Sequence, residues 1–460
     1  MIPASRLVRA ALGAIAWLAL SVSIGCADSS QAPMVPTAPQ LARTVSGPSV
    51  TATTPPYGRQ GQTGEQVTIT GSGFTADSKV SWARVGVADS TDVAVRETRF
   101  VSSTQLVATI DIAPDADLAF YDVMVENPDR KKGIGTEMFE VTTAISLGSL
   151  GGNTNANAVN DNGDAVGYTV VGTEQRAFYW SGATTMVDIG GTEALGIDQA
   201  GTTIVGRGSA RALTWTGSGT SWTSAPLPMD PAAIDGRATA VASDPVTGQA
   251  TIIGGSESVS LKHATLLRPR LWKRTPIGGW QKVDLLMPNA DLSGTSSWVA
   301  AVNANGQATG AVRPGGGAAQ AVVWEANGQY TVLGEGGAPG INGAGTIIAS
   351  FNNSGAVYYT RNAVGDQWTG PLPLPGGCSN GMGVDDAGNI IARRCPSPGS
   401  SRLTSVIVAP PYTTAIYLSG LGDVTEGGTV YGISRGGTYI AGTAPTKPTR
   451  VGARWRNPLF

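Results

Sequence analysis

From residue 142 onward one pattern of apolar and polar positions keeps returning: an apolar run, a polar turn closed by glycine, and a second apolar run rich in β-branched residues. The clearest copy is residues 158–167, Ala-Val-Asn-Asp-Asn-Gly-Asp-Ala-Val-Gly, and degenerate copies follow at 195–206, 240–254, 301–310, 340–349, 383–392 and 431–442. Each has the signature of a tight antiparallel hairpin. The turn glycines, Gly163, Gly201, Gly248, Gly306, Gly345, Gly388 and Gly437, are spaced by 38, 47, 58, 39, 43 and 49 residues. After each turn comes a third apolar stretch ending in Trp180, Trp215, Trp272, Trp324, Tyr359 or Trp455, and only the sixth copy, at 406–409, lacks the aromatic. A fourth stretch follows at 186–190, 225–228, 283–286, 330–334, 371–374 and 415–418, with prolines in two of them, as suits an outer edge strand.

A period in the forties with two hairpins per unit predicts four-stranded blades, and seven copies predict a seven-bladed β-propeller over residues 142–460. The seventh copy ends without a fourth strand. Residues 143–151, Thr-Ala-Ile-Ser-Leu-Gly-Ser-Leu-Gly, are similar to 414–422, the outer strand of the sixth copy. They are predicted to supply the missing strand, so that the N-terminal end of the array closes onto its last sheet.

Upstream, residues 56–141 alternate as short strands at 67–70, 79–82, 105–110 and 121–125, separated by turn signals, which predicts a small sandwich. Residues 27–55, rich in Ser, Ala, Thr and Pro and poor in buriable surface, read as a disordered tether. Glycine is 63 of 460 residues and charged residues are 14%, which suits many strands and turns. The expected fold class is all-β, an immunoglobulin-like sandwich followed by the propeller. A net charge of −2 gives no reason to expect nucleic-acid binding.

Three stretches carry family resemblances. Residues 64–74, Gly-Glu-Gln-Val-Thr-Ile-Thr-Gly-Ser-Gly-Phe, with 103–108 and 121–127, resemble IPT/TIG immunoglobulin-like domains, which implies a spacer or binding fold rather than a chemistry. Residues 147–152, 158–163, 166–167 and 176–180 resemble the HAF repeat of extracellular bacterial proteins, with Arg176 and Arg211 where that family carries histidine. Residues 1–26 place Arg6 and Arg9 ahead of an apolar run over 10–20, the layout of an export signal. Their end, Ser23-Ile24-Gly25-Cys26, resembles the bacterial lipobox, with Ser23 where leucine is usual. That resemblance implies lipidation of Cys26 and attachment to the outer membrane or cell surface. The alternative reading is an ordinary secretory signal cleaved near Ala27, giving a secreted or periplasmic product.

Candidate chemistry is sparse. His263 is the only histidine and sits beside Lys262 in a connection, so no Ser-His-Asp triad is available elsewhere. Acids such as Asp188, Glu193, Asp198 and Asp284 are scattered among turns without a spacing that selects a catalytic pair. Asp161, Asp164, Asp385 and Asp386 could suggest calcium, but other copies lack carboxylates there, and turn chemistry accounts for them. No catalytic, cofactor-binding or metal-binding residue is assigned. Cys378 and Cys395 flank the sixth hairpin symmetrically and are expected to form a disulfide, the other reading being two buried thiols.

Alternating strand direction puts the second-to-third connections on one rim, read as long loops at 256–269, 311–320, 393–402 and 443–452. That rim gathers Arg176, Arg207, Arg211, Arg268, Arg313, Arg393 and Arg394, with Lys262, Lys447 and Arg450. It reads either as an electropositive surface for an anionic partner or as a solvated surface whose arginines pair locally. The function read from this is a non-enzymatic binding module for carbohydrate or a partner protein, touching membrane only through a lipid anchor. The competing readings are an exported carbohydrate-active enzyme with carboxylates in the propeller channel, and a structural envelope protein.

Overall fold

The computed structural model describes residues 47–85, 91–182, 185–261, 264–287, 294–396, 403–418, 420–421, 427–446 and 449–459. The export signal, Cys26, Lys262, His263 and Lys447 lie outside the described residues. Among the described residues the regular structure is β-strand only, arranged as nine four-stranded sheets.

Two of these sheets form the N-terminal sandwich. One runs in the order Ser49–Thr54, Glu65–Ser72, Gln105–Ile112, Val93–Ser102, and the other Tyr57–Arg59, Lys132–Thr142, Phe120–Glu126, Lys79–Arg84. Alternation is visible in Gln105–Ile112, where Leu106, Ala108, Ile110 and Ile112 are buried and the residues between them are not. Those side chains meet Val67, Ile69, Val123 and Phe139 in a single core. Trp82 lies edge-on to Phe139 with ring centroids 5.8 Å apart. The boundary read at residue 56 needs correction: Ser49–Thr54 is not tether but an edge strand paired with Glu65–Ser72. Its threonines and following prolines hide it, because an edge strand buries only Val50 and Thr53 and so shows little apolar pattern.

The other seven sheets follow in chain order. The first comprises Thr154–Val159, Ala165–Val171, Glu174–Trp180 and Val187–Asp188; the second Glu193–Ile197, Thr203–Gly208, Arg211–Ser218 and Ser221–Pro226. The third is Ala233–Ser243, Ala250–Leu261, Ala264–Arg274 and Trp280–Asp284; the fourth Ser296–Val302, Ala308–Arg313, Gln320–Trp324 and Tyr330–Glu335. The fifth is Gly337–Ile341, Ile347–Asn352, Gly355–Thr360 and Thr369–Pro373; the sixth Asn380–Val384, Ile390–Pro396, Leu403–Val408 and Ala415–Leu418. The seventh takes Thr429–Ile433, Tyr439–Thr446 and Thr449–Arg456 from the end of the chain and Ala144–Ser146 from before the first sheet. In that last pairing Ala144 faces Trp455, Ile145 faces Arg454 and Ser146 faces Ala453. The segment expected over 143–151 is strand only at Ala144–Ser146, and turns at Gly148 and Gly151 end it.

All seven sheets share one internal register. Every first strand carries a bulge at the same place, between Ala156 and Ala158, Ala194 and Gly196, Ala238 and Ala240, Val299 and Ala301, Gly337 and Gly340, Gly381 and Gly383, and Val430 and Gly432. A bulge bends a strand and raises its twist. It also brings the first-strand carbonyl close to the second strand. At Gly167, Gly206, Gly255, Gly310 and Gly442 an added Cβ would lie 1.8 to 2.1 Å from that oxygen. The third-strand aromatics occupy one equivalent position, and Trp215, Trp272, Trp324 and Trp455 are fully buried. Two of them are tied to the chain crossing from the preceding sheet: Trp272 Nε1 donates to Pro228 O at 2.7 Å and Trp324 Nε1 to Leu286 O at 2.7 Å.

Among the described residues seven separate apolar clusters lie between sheets: six are each filled by two sheets consecutive in the chain, and the seventh, of Ala156, Phe178 and Trp180 with Ala441, joins the first sheet to the last. First strands likewise touch from each sheet to the next, and Thr429–Ile433 touches Thr154–Val159.

The sandwich is bound to the seventh sheet without a linker. Lys132–Thr142 is followed after the single residue Thr143 by Ala144–Ser146. Tyr57 packs into the apolar cluster shared by the sixth and seventh sheets. Buried Glu140 accepts a hydrogen bond from Gly420 N at 2.8 Å.

Candidate functional site

The first strands of all seven sheets line one cavity of about 220 Å³, receiving among others Asn157, Gly196, Thr239, Val302, Ile341, Met382 and Tyr431. Its wall is largely small side chains and backbone, as the bulged strands dictate.

One end of this cavity is built from the first-to-second-strand turns. Each turn opens on Asn, Asp or Ser, whose side-chain oxygen accepts backbone N–H groups further along the turn, an Asx-type cap that glycine then closes in the left-handed region. Asp198 Oδ1 accepts Thr202 N at 2.8 Å and Thr203 N at 2.9 Å, and Asn342 Oδ1 accepts Thr346 N at 2.8 Å. The turns also bond to each other. Asp161 N donates to Gln199 Oε1, Gln199 N to Ser243 Oγ, Asn305 Nδ2 to Gly343 O, Gly343 N to Asp386 Oδ1, and Gly436 N to Asp161. Arg435 lies across this end, with Nε 2.6 Å from Asp386 Oδ2 and Nη1 donating to Ser243 O at 3.2 Å, so it ties the seventh sheet to the sixth and the third. In the sequence Arg435 is a lone cation at the turn position where other copies carry Asp161 or Asp386.

The arginines expected on the opposite rim stand at the facing ends of second and third strands, but they do not form one free cationic surface. Arg176 is paired with Glu174 and Asp188, both at 3.3 Å, and Arg207 with Asp235 at 2.5 Å. Arg268 donates to Thr295 O at 3.0 Å. Arg211, Arg313 and Arg394 are exposed and form no ion pair among the described residues. Arg394 adopts a left-handed backbone, φ 56°.

Arg393 differs from all of these. It is half-buried, its guanidinium carbon stands 5.4 Å from the ring of Tyr431, and its buried Nε has no partner among the described residues. Burial pushes its pKa below the ordinary arginine value; Tyr431 opposes the shift and Arg394 adds to it. Since Tyr431 lines the cavity, Arg393 sits beside the cavity wall.

Two of the four connections expected to be long loops are strand instead. Residues 256–261 and 264–269 belong to the paired strands Ala250–Leu261 and Ala264–Arg274, and 443–446 and 449–452 to Tyr439–Thr446 and Thr449–Arg456. The third sheet therefore projects beyond its neighbours, fastened by buried Glu257, 2.7 Å from Arg270 Nε.

The scattered acids are all engaged. Asp188 pairs with Arg176, Glu193 with Arg237 at 2.8 Å, and Asp284 with Arg270 at 3.3 Å, while buried Asp198 caps its own turn. Among the described residues the only acid lining the cavity is Asp386. Cys378, just before the sixth sheet's first strand, is joined by a disulfide to Cys395 in its second strand, and both residues are buried.

A comparison with protein families decides the nature of the sandwich. Residues 48–137 are an IPT/TIG domain. The match covers less than half of the chain, so it names this domain and not the seven sheets that follow. No curated protein matches the chain. Within the IPT/TIG domain the basic cluster Arg130-Lys131-Lys132 belongs to the turn between Phe120–Glu126 and Lys132–Thr142, where Lys131 pairs with Asp129 and Lys132 with Glu126.

Proposed function

We propose that the seven sheets are the blades of a closed seven-bladed β-propeller of HAF-type repeats, carried on an IPT/TIG spacer. The protein as a whole is read as an exported, envelope-anchored binding module for a carboxylate-bearing partner, an acidic glycan in the first instance. Closure is supported by the shared register, by the contact of the last first-strand with the first, and by the seventh sheet's borrowed Ala144–Ser146 strand. Anchoring is supported by the lipobox-like end of residues 1–26, and Cys26→Ser is expected to move the protein from membrane to soluble fractions.

The observation that carries the binding reading is Arg393, a desolvated guanidinium with an idle Nε beside the cavity wall. A buried donor without a partner costs free energy that a carboxylate would recover, and charge-assisted bonds to arginine are the stronger kind. Exposed Arg394 alongside adds long-range attraction for the same charge. Hydrolysis of a glycoside needs two carboxylates facing one bond, and this cavity presents Asp386 already paired with Arg435.

The test is a glycan array rich in uronates probed with the full-length protein, followed by calorimetry on the glycans retained. Arg393→Gln is expected to weaken binding about tenfold or more. An affinity unchanged in Arg393→Gln and in Arg393→Gln/Arg394→Gln rejects the site.

A further inference from the structure

A second cationic cavity lies away from the seven first strands, where the IPT/TIG domain meets the seventh sheet. Its volume is about 520 Å³, and its lining includes Arg59, Arg454 and Arg456 with Thr143 and Tyr439. Arg59 ends the strand Tyr57–Arg59, whereas Arg454 and Arg456 stand two residues apart on Thr449–Arg456 and so face the same side of that strand. No acid lines this cavity among the described residues.

Arg454 is held without a carboxylate: its guanidinium stacks 4.3 Å from the Tyr439 ring and 5.0 Å from Trp180, and Nη1 donates to Gly163 O at 2.8 Å. Arg59 and Arg456 are exposed and form no ion pair among the described residues. The buried hydroxyl of Thr143, in the one-residue link between the two domains, also lacks a hydrogen-bond partner among the described residues. Burial pushes the Arg454 pKa down, opposed by Tyr439 and Asp164 and aided by the positive charge of Arg59.

Three like charges and an idle hydroxyl around one cavity leave a surplus of donors and a deficit of negative charge. A planar carboxylate has two oxygens to offer such a set. A tetrahedral oxyanion has more acceptors, arranged in three dimensions, and a higher charge. We propose that this junction cavity is a binding site for a phosphate or sulfate group, contacting Arg59 from the IPT/TIG domain and Arg454 and Arg456 from the seventh sheet at once. An anion held there ties the two domains together, so its occupancy stiffens the junction.

The experiment is calorimetry and thermal unfolding of the full-length protein in mild detergent with inorganic phosphate, inorganic sulfate, glucose 6-phosphate and, as control, chloride at matched ionic strength. Saturable binding and a raised unfolding midpoint are expected with at least one oxyanion. Arg59→Gln and Arg456→Gln, both at exposed positions, are each expected to weaken binding about tenfold while leaving the midpoint in chloride unchanged. Arg393→Gln is expected to leave this binding intact, which separates the site from the one proposed on the rim. Tighter binding of glucose 6-phosphate than of inorganic phosphate identifies an esterified group as the occupant, and the reverse order a free anion. No saturable binding of any oxyanion, or equal binding by the Arg59→Gln/Arg456→Gln variant, overturns the proposal.

Discussion

Asp385 opens the sixth hairpin turn as a buried carboxylate, with Oδ1 accepting Asn389 N and Oδ2 accepting Asn389 Nδ2, both at 2.8 Å. Burial raises its pKa even so, outweighing the lowering by its hydrogen bonds. A group whose pKa is higher in the folded than in the unfolded state binds its proton more tightly when folded. Its contribution to stability is therefore full below the ordinary aspartate value and is lost as pH climbs through the raised one. Asparagine fills the same turn position as Asn160, Asn303 and Asn342 and does not titrate. Asp385→Asn is thus expected to gain stability relative to the native protein between about pH 3 and about pH 7, measured by denaturant unfolding at both ends. A constant difference contradicts the burial argument. At the third-strand position, Trp324→Ala is expected to cost about 3–5 kcal/mol. Trp324→Phe keeps most of the packing but orphans Leu286 O, and is expected to cost about 1–3 kcal/mol in the same measurement. These positions were legible because they recur once per repeat. Arg393 stood out from the other rim arginines only in the structure, because nothing in one sequence tells a buried, unpaired arginine from a solvated one.

Between the fourth and fifth sheets a different device joins neighbouring elements. Arg361, almost fully buried, makes paired contacts to Glu325 at 2.8 and 3.2 Å, donates from Nε to Gly345 O and stacks 4.3 Å from the ring of Trp368. Gln307 Nε2 bonds the same carboxylate at 2.6 Å. Removing one member of a buried pair leaves the other charged and unsolvated, so Arg361→Ala is expected to lower unfolding free energy by about 3–5 kcal/mol, and Arg361→Met/Glu325→Gln by clearly less. Equal losses in the two variants would place the contribution in packing instead. Hairpins were readable wherever one face met a neighbouring sheet. The extension beyond Glu257 passed for a loop because it leaves the shared cores, so that Ser258 and Val259 are only partly buried and Ser260 is exposed. A strand without a buried face shows no period of two. Ser49–Thr54 escaped notice for the same reason.

At the scale of the whole molecule, stability rests on seven like interfaces, none of which is filled by a single sheet. Such an array is held at its ends only if first and last units meet, and here the IPT/TIG domain delivers the joining strand directly. Similarity between 143–151 and 414–422 made that strand visible in the sequence, and it follows Lys132–Thr142 of the IPT/TIG domain after the single residue Thr143. Hydrogen exchange resolved to single amides tests the closure most directly. The amide of Leu147, which donates to Gly452 O at 2.9 Å, and those of residues 144–146 are expected to exchange as slowly as residues 449–456 and to lose protection together with them in denaturant. Exchange of 144–147 at the rate of an open chain, while 449–456 stay protected, would contradict the account.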